Sequence, residues 1–193
     1  MRTVNITCEN THQEYEIELG TTLRDVKKII FPENHNHILG ALVNNQLQDL
    51  QFVVMTPLRV NFIDVTTLDG YSIYSRSLIF VLYQAVFPKK TLRAEYFISN
   101  GIFCRIVNKE IVLTPAIISE LENKMKEIIQ ADYPIVREEI PTDEAVLIFR
   151  KRGLKDKADL METRGKLFTS LYYLNDLPDY FYGTLAPSTS CLK

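Results

Sequence analysis

The sequence predicts an α+β protein made of two small domains. Strand-like segments and one amphipathic helix alternate in the first third of the chain, and further helices and strands alternate in the remainder. A polar, turn-prone stretch at residues 64–70 lies between the two parts. We therefore expect a first domain at residues 1–64 and a second at residues 65–193.

The elements of the first domain indicate a sheet with one helix across it. Residues 4–8 and 15–19 each alternate between apolar and polar side chains, as the two strands of a hairpin do. Thr22 can cap a helix whose first turn carries Asp25. The predicted face of this helix on the sheet consists of Val26, Ile29 and Ile30.

Strands are expected to return after this helix. Asn44-Asn45 separates the short apolar segment before it from the strand-like segments after it. Among these, residues 58–63 show the most regular alternation of apolar and polar side chains. A hairpin, a helix and returning strands together favour a ubiquitin-like β-grasp.

The second domain opens with a predicted helix over residues 72–87, which Pro88 ends. Residues 92–98 and 102–107 then resemble two strands joined by Asn100-Gly101, a strong hairpin turn.

A long helix is predicted to begin at Thr114-Pro115, because proline suits a first helical position. Its core-facing residues should be Ile117, Leu121, Met125 and Ile128.

The last third predicts a strand over residues 135–140, a helix that Thr142 caps and Gly153 ends, and a strand over residues 168–177.

Composition excludes few functions. The 193 residues are 46% hydrophobic and 24% charged, as in ordinary globular proteins, and the formal net charge of -2 gives no overall attraction to nucleic acid or to an anionic membrane. The amino terminus lacks a signal-peptide pattern, and no apolar run reaches the roughly 18 residues of a membrane span. We expect a cytoplasmic protein without membrane contact.

Motifs for phosphate or metal chemistry are missing from the sequence. It contains neither a phosphate loop nor a dinucleotide fingerprint. His12, His35 and His37 are not paired with cysteines at zinc spacing, although His35-Asn36-His37 is one arrangement that could bind a metal in place of a solvated loop. We expect no metal and no cofactor in this segment.

Covalent and acid-base catalysis are also not expected. Cys8 and Cys104 lie in alternating segments where a packing role is usual, and they and Cys191 should be reduced thiols. Glu138 and Glu139 should point to opposite faces of a strand, so they cannot share a substrate.

Residues 150–157 form a local basic concentration, and two interpretations stay open. The cations could contact RNA phosphates, or they could complement the carboxyl end of a helix and remain solvated. The residues concerned are Arg150, Lys151, Arg152, Lys155 and Lys157.

Several segments resemble the front end of threonyl-tRNA synthetases. Residues 20–26 and 41–47 resemble the TGS domain, a β-grasp module. Residues 98–103, 133–140 and 143–145 resemble the editing domain, the second additional domain of these enzymes, in order and spacing. This resemblance implies a TGS domain followed by an editing-like α+β domain.

The editing residues of that family are not matched here. The family's H-x-x-x-H motif falls on Ile73 and Ser77, and its C-x-x-x-H motif falls on Phe181 and Leu185. The resemblance therefore implies no catalytic residue and no metal ligand at these positions.

Residues 74–78, 179–183 and 187–189 resemble more closely the bacterial uridine or nucleoside kinases in which such domains precede a phosphate-loop kinase domain, although Ser190 replaces an expected glycine. This implies a non-catalytic, regulatory or substrate-presenting region. ATP and Mg²⁺ would serve only a kinase domain beyond Lys193, so we expect a truncated chain. The implied remnant pocket for a small molecule consists of Tyr74, Arg76, Asp179 and Tyr182.

Other interpretations remain open. The four residues of the remnant pocket could be structural, with Arg76 and Asp179 as a pair and the tyrosines as core. The chain could also be a free-standing RNA-binding module related to threonyl-tRNA synthetase with lost editing activity, or an architectural module.

Overall fold

A computed structural model describes residues 2–33, 37–87, 92–99, 101–106 and 113–192 of the chain. It contains sheets and helices that alternate in sequence, so the expected α+β class is confirmed. None of the helices in these ranges is both long enough and apolar enough to cross a membrane.

The first part of the chain forms a five-stranded mixed sheet in the order β2-β1-β5-β3-β4. The expected β1-β2 hairpin is confirmed, β1 and β5 are parallel, and the other neighbours are antiparallel. Helix α1 (Leu23–Ile30) packs on this sheet through one hydrophobic core. The strands are β1 (Thr3–Cys8), β2 (Gln13–Glu18), β3 (Gly40–Val43), β4 (Gln46–Gln48) and β5 (Leu58–Ile63).

Helix α1 begins as expected, because the Thr22 side chain accepts a hydrogen bond from the Asp25 backbone N–H. Its buried face differs from the prediction. Val26 is buried, but Ile29 is 57% exposed and the Lys27 side chain is buried instead. Residues 23, 26, 27 and 30 follow one helical stripe, and position 29 lies outside it.

The turn between β3 and β4 is made by Asn44 and Asn45, with φ of 47° and 65°. Two successive positive φ values are what a tight two-residue hairpin requires, and asparagine tolerates them.

Helix α2 (Leu68–Val86) begins before the predicted residue 72, because Thr67 caps it by accepting a 3.0 Å hydrogen bond from the Gly70 N–H. Strands β6 (Leu92–Ile98) and β7 (Gly101–Ile106) form the expected antiparallel hairpin as a separate two-stranded sheet. Pro88 and Asn100 lie outside the described residues.

Helix α3 (Pro115–Gln130) begins at the expected proline and is capped by Thr114. Its predicted core residues are not fully buried: Ile117, Leu121, Met125 and Ile128 are all half-exposed. The reason is that α3 lies at the edge of the fold and packs mainly on α2 and on a short 3-10 turn at Thr189–Cys191.

The last part forms a three-stranded antiparallel sheet of β8 (Ile135–Pro141), β9 (Phe168–Leu174) and β10 (Leu177–Asp179), in the order β10-β9-β8. The predicted strand over residues 168–177 is thus two strands, which a turn at Asn175 separates.

Two helices, α4 (Thr142–Lys151) and α5 (Lys155–Thr163), pack on one face of this sheet. The prediction that Thr142 caps α4 is wrong, because Thr142 is the first helical residue and its buried hydroxyl has no hydrogen-bond partner. Gly153 ends α4 as expected, with φ of 73°. Helix α5 was not predicted, since its buried residues are only Ala158 and Met161.

Residues of both expected domains share one hydrophobic cluster. Leu39 and Ile63 of the first part pack with residues of α2, β9 and the carboxyl-terminal segment. This cluster covers one end of the second face of the three-stranded sheet and leaves the other end open.

Candidate functional site

The positions that align with the editing motifs of threonyl-tRNA synthetases in the resemblance lie together in an apolar cluster. Ile73 and Ser77 are fully buried on α2, and Phe181 and Leu185 follow β10 and pack against the same helix. The Phe181 ring centroid is 5.0 Å from that of Phe80. Hydrocarbon side chains therefore occupy the space that metal ligands would need.

The polar member of this set, Ser77, uses its hydroxyl within the protein. The hydroxyl donates a 2.7 Å hydrogen bond to the Ile73 carbonyl and accepts one of 2.7 Å from the Ala186 N–H. It thereby joins α2 to the carboxyl-terminal segment.

Arg76 also holds this segment. Its Nε and Nη2 atoms donate to the Thr184 carbonyl at 3.2 and 3.1 Å. Burial lowers the pKa of the guanidinium from its usual value, an effect that Tyr172 and Asp69 partly oppose. The half-buried side chain thus has a positioning role in the structure.

Asp179 is buried and forms an ion pair with Lys157. Its carboxylate also accepts a 2.7 Å hydrogen bond from the Tyr180 N–H. The Lys157 ammonium lies 5.3 Å from the Tyr83 ring centroid. The structure therefore pairs Asp179 with Lys157, and not with Arg76.

The two tyrosines of the predicted remnant pocket line different cavities. Tyr74 lines a cavity beside α2, whereas Tyr182 is 85% exposed and lines a cleft on the three-stranded sheet. Neither lining includes Arg76 or Asp179. Neither of these two cavities therefore contains all four predicted residues.

The cleft that Tyr182 lines, the sheet cleft, lies on the open end of β8 and β9 and has a volume of about 430 Å³. Arg137 and Glu139 of β8 face it because alternate residues of a strand share one side. Phe168 of β9 contributes to the same wall, since it lies opposite Pro141 in the register.

Three cations surround the sheet cleft. Arg137 lies 2.8 Å from the Asp49 carboxylate. Arg164 donates a hydrogen bond to the Tyr180 hydroxyl, and its guanidinium lies 5.2 Å from that ring centroid. Lys166 is exposed and has no ionic partner among the described residues.

Exposed aromatic rings accompany these cations. Tyr182 and Phe168 are 85% and 54% exposed at the edge of the sheet cleft. Cations bind phosphates and exposed rings stack on bases, so this combination suits a single-stranded nucleic acid. Sequence reasoning missed the site because its cations come from separate segments, although Arg164, Lys166 and Phe168 lie close in sequence.

The predicted basic segment does not form one surface. Arg150 pairs with Glu162 at 2.5 Å, and Arg152 donates to the Pro178 carbonyl. Lys157 is paired with Asp179, as described above. Within the described ranges, Lys151 and Lys155 are the members that are exposed and without an ionic partner.

The histidines and cysteines do not assemble a metal site in the described part of the chain, where no cluster of three or more potential ligands occurs. His12 and His37 are exposed, and His35 lies outside the described residues. The cysteines are free thiols: Cys8 is buried, and Cys104 and Cys191 are half-buried.

Glu138 and Glu139 point to opposite faces, as expected. Glu139 lines the sheet cleft, whereas Glu138 is near Tyr173 on the other side of the sheet.

No protein-family model matches the chain. Curated relatives include the threonine–tRNA ligase of Syntrophomonas wolfei, 29% identical over 178 residues that make up 90% of this chain. The threonine–tRNA ligase of Desulforamulus reducens is 29% identical over 182 residues, 92% of the chain. That of Aquifex aeolicus is 30% identical over 183 residues, again 92%.

The chain spans 28% of the length of each of these ligases. It is therefore similar over nearly its whole length to part of a threonine–tRNA ligase. These relatives give no support to the expected nucleoside-kinase parent.

Proposed function

We propose that the chain is an RNA-binding module of threonine–tRNA-ligase type. It binds tRNA in the sheet cleft and does not hydrolyse the ester bond between a wrong amino acid and its tRNA. The observation that carries the proposal is the combination of Arg164, Lys166 and exposed Tyr182 around one open cleft. The similarity to ligases that act on tRNA supports the class of ligand. Of the remnant-pocket residues, Arg76 and Asp179 act structurally in this proposal, whereas Tyr182 contacts RNA. The proposed location is the cytoplasm.

Residues 1–64 are, in this proposal, a TGS-type β-grasp domain, and residues 65–193 are an editing-like domain. The order β2-β1-β5-β3-β4 with parallel central strands and one helix packed across the sheet supports the first assignment. The similarity to the ligases over 90% of the chain supports the second.

The cleft would divide recognition between charge and stacking. Lys166 and Arg164 attract phosphates, and Tyr182 and Phe168 provide faces for unpaired bases. Glu139 in the same wall repels phosphate, so the backbone should follow the side of the cleft that carries the cations. Since the net charge is -2, binding has to rely on this local arrangement.

The absence of hydrolysis follows from the four editing positions. Ile73, Phe181 and Leu185 offer neither a metal ligand nor a base, and the Ser77 hydroxyl is engaged with Ile73 and Ala186. We expect the purified chain to release no amino acid from mischarged tRNA. Release above the rate in buffer would contradict this part of the proposal.

Binding is tested by fluorescence anisotropy of labelled threonine tRNA. Lys166→Ala should weaken binding about fivefold and make the salt dependence less steep, because one phosphate contact is lost. The matched control is Lys151→Ala, an exposed lysine outside the cleft, which should change the affinity less than twofold. Equal losses in both variants would exclude the cleft as the site.

Stacking is tested separately with Tyr182→Ala. This ring is almost fully exposed, so its removal should leave the fold intact and weaken binding by roughly 1 kcal/mol or more. The slope of affinity against salt should not change, because no charge is removed. Absence of any tRNA binding at low salt would overturn the proposal as a whole.

The uridine-kinase parent stays a prediction. Reading the source gene beyond the codon for Lys193 tests it, since a G-x-x-x-x-G-K-[ST] motif there would indicate a phosphate loop. The RNA-binding proposal is independent of that result, because it concerns residues of this segment.

A further inference from the structure

A second cavity, the α2 cavity, lies on the side of helix α2 that faces away from the editing-like positions. It has a volume of about 280 Å³. Helix α2 contributes residues at the spacing of one helical face, strand β7 closes a second side, and Met125 of α3 closes a third. The α2 residues are Tyr71, Tyr74, Ser75, Leu78, Ile79 and Leu82.

Helix α2 has two apolar faces because of its sequence. Ile73, Phe80 and Val81 face the main core and are fully buried. Leu78 and Leu82 lie on the other face and are only half-buried. The second face is covered by a hairpin and the edge of α3, and the cavity lies between these elements.

The hairpin is fixed at one point close to the cavity. The Ala94 N–H donates a 3.2 Å hydrogen bond to the Tyr83 hydroxyl on α2. Ala94 lies on β6 opposite Cys104 of β7, so the bond holds the strand that is paired with the one lining the cavity. The cavity then continues along Ile102 and Gly101 of β7.

The lining determines which ligands fit. None of the described residues that line the cavity is charged, so phosphates and carboxylates would lose their hydration without compensation. Tyr71, the Met125 thioether and the Cys104 thiol are polarisable groups that contact aromatic rings favourably. Cavities of about 150 Å³ with apolar walls bind benzene, so this volume admits a larger, two-ring molecule.

We propose that the α2 cavity is a binding site for a flat, uncharged, two-ring aromatic molecule, separate from the RNA-binding cleft. The ring system lies between α2 and β7, with its edge towards Met125 and Cys104. The Ser75 hydroxyl supplies a polar group for one N–H or O–H of the ligand.

Indole is a suitable probe because the chain contains no tryptophan, so indole emission has no protein background when it is excited beyond the tyrosine band. We expect a saturable shift of the emission with a dissociation constant of about 1 mM, as befits a ligand of this size. Absence of saturation up to the solubility limit would overturn the proposal.

Cys104 gives a second readout at the site. Burial raises the pKa of its thiol, so alkylation by N-ethylmaleimide at neutral pH should be slow enough to follow. Saturating indole should slow alkylation of Cys104 but not of Cys191, as measured by peptide mass spectrometry. Equal rates at Cys104 with and without indole would contradict binding in this cavity.

Two variants on the same helix locate the site. Ser75→Leu fills the cavity and should weaken indole binding roughly tenfold, whereas Ser72→Leu, outside the lining, should change it less than twofold. If Ser75→Leu does not fold, Ile102→Phe fills the cavity from the opposite wall. Equal effects of Ser72→Leu and the cavity-filling variant would refute the site. None of these three variants should change the affinity for tRNA.

Discussion

Ser77 and Ala186 are joined by a 2.7 Å hydrogen bond from the backbone N–H of Ala186 to the buried serine hydroxyl. The serine lies on α2, and Ala186 follows Leu185 in the carboxyl-terminal segment. Ser77, which the resemblance to threonyl-tRNA synthetases aligned with an editing position, therefore acts as a link between two elements of the fold.

Ser77→Ala should lower the free energy of unfolding by about 2 kcal/mol, because the buried N–H of Ala186 loses its acceptor. The lost donor to the Ile73 carbonyl matters less, since that carbonyl can bond within the helix. Urea unfolding measures the change. Ser72→Ala on the same helix is the control and should be within about 0.5 kcal/mol of the unmodified chain; a similar loss there would mean that helix propensity and not the link is responsible.

Gly183→Ala should destabilise the segment that Arg76 holds. Gly183 has φ of 123°, and an added Cβ would lie 3.0 Å from the Arg76 Cζ atom. We expect a loss of about 2 kcal/mol in urea unfolding, from backbone strain and displacement of the guanidinium. In a chain that also carries Arg76→Ala, the part of the stability loss that comes from contact with the guanidinium should disappear. The control is Gly153→Ala, where φ is 73° and no atom lies within 4 Å of the added Cβ.

Equal penalties for Gly183→Ala with and without Arg76 would show that the guanidinium is not the obstacle. A penalty at Gly153 as large as that at Gly183 would attribute the whole effect to backbone conformation.

The sequence predicted those features that depend on a few neighbouring residues. Thr22 caps α1 and α3 begins at Pro115, because the threonine hydroxyl and the fixed φ of proline satisfy local backbone requirements at a helix start. The α+β class followed from such signals, since the elements alternate in the expected order.

Features that depend on tertiary contacts were not predicted. The sheet cleft combines Arg137 with Lys166, which lie far apart in sequence and meet only because β8 and β9 are neighbours. The segment around Lys157 looked like a basic surface, but its lysine is paired with a buried carboxylate of β10. Charge density along the chain does not reveal which side of a helix is buried.

The ion pair between Asp49 and Arg137 connects the five-stranded sheet to the three-stranded sheet, since Asp49 follows β4 and Arg137 lies in β8. The carboxylate and guanidinium are 2.8 Å apart, with side-chain exposures of 5% and 42%. Arg137→Ala should lower the free energy of unfolding by about 2 kcal/mol, because the buried Asp49 carboxylate loses its ionic partner and keeps the Gln51 N–H as a donor. Asp49→Asn should lower the free energy of unfolding by a smaller amount, because the unpaired Arg137 side chain can turn to solvent.

A double-mutant cycle on this pair should give a coupling energy of about 1 kcal/mol or more by urea unfolding. The exposed pair of Lys28 and Asp25, at 2.9 Å, is the matched control and should couple by less than about 0.5 kcal/mol. Zero coupling between Asp49 and Arg137 would show that this ion pair does not help to hold the five-stranded and three-stranded sheets together.

Lys27 lies on the buried stripe of α1, and burial lowers the pKa of its ammonium from 10.5. The titratable or charged groups with which it interacts are Arg24, Lys28, Asp132 and Cys191. A folded-state pKa below the unfolded value means that the unfolded chain binds more protons between the two values. The contribution of Lys27 to stability is therefore fully present above about pH 10.5 and is lost as the pH falls through its folded pKa.

Lys27→Met should accordingly raise the free energy of unfolding at pH 7 by about 1 kcal/mol, because the charged form no longer has to be buried. The advantage over the unmodified chain should shrink as the pH rises from 7 towards about 10, because deprotonation of Lys27 in the folded protein costs less free energy at higher pH. Comparing the two chains by urea unfolding at both pH values cancels the titration of the tyrosines. Lys28→Met, on the exposed side of α1, should show no such pH-dependent difference. A constant difference for Lys27→Met across this range would mean that side-chain packing, and not the buried charge, distinguishes the two chains.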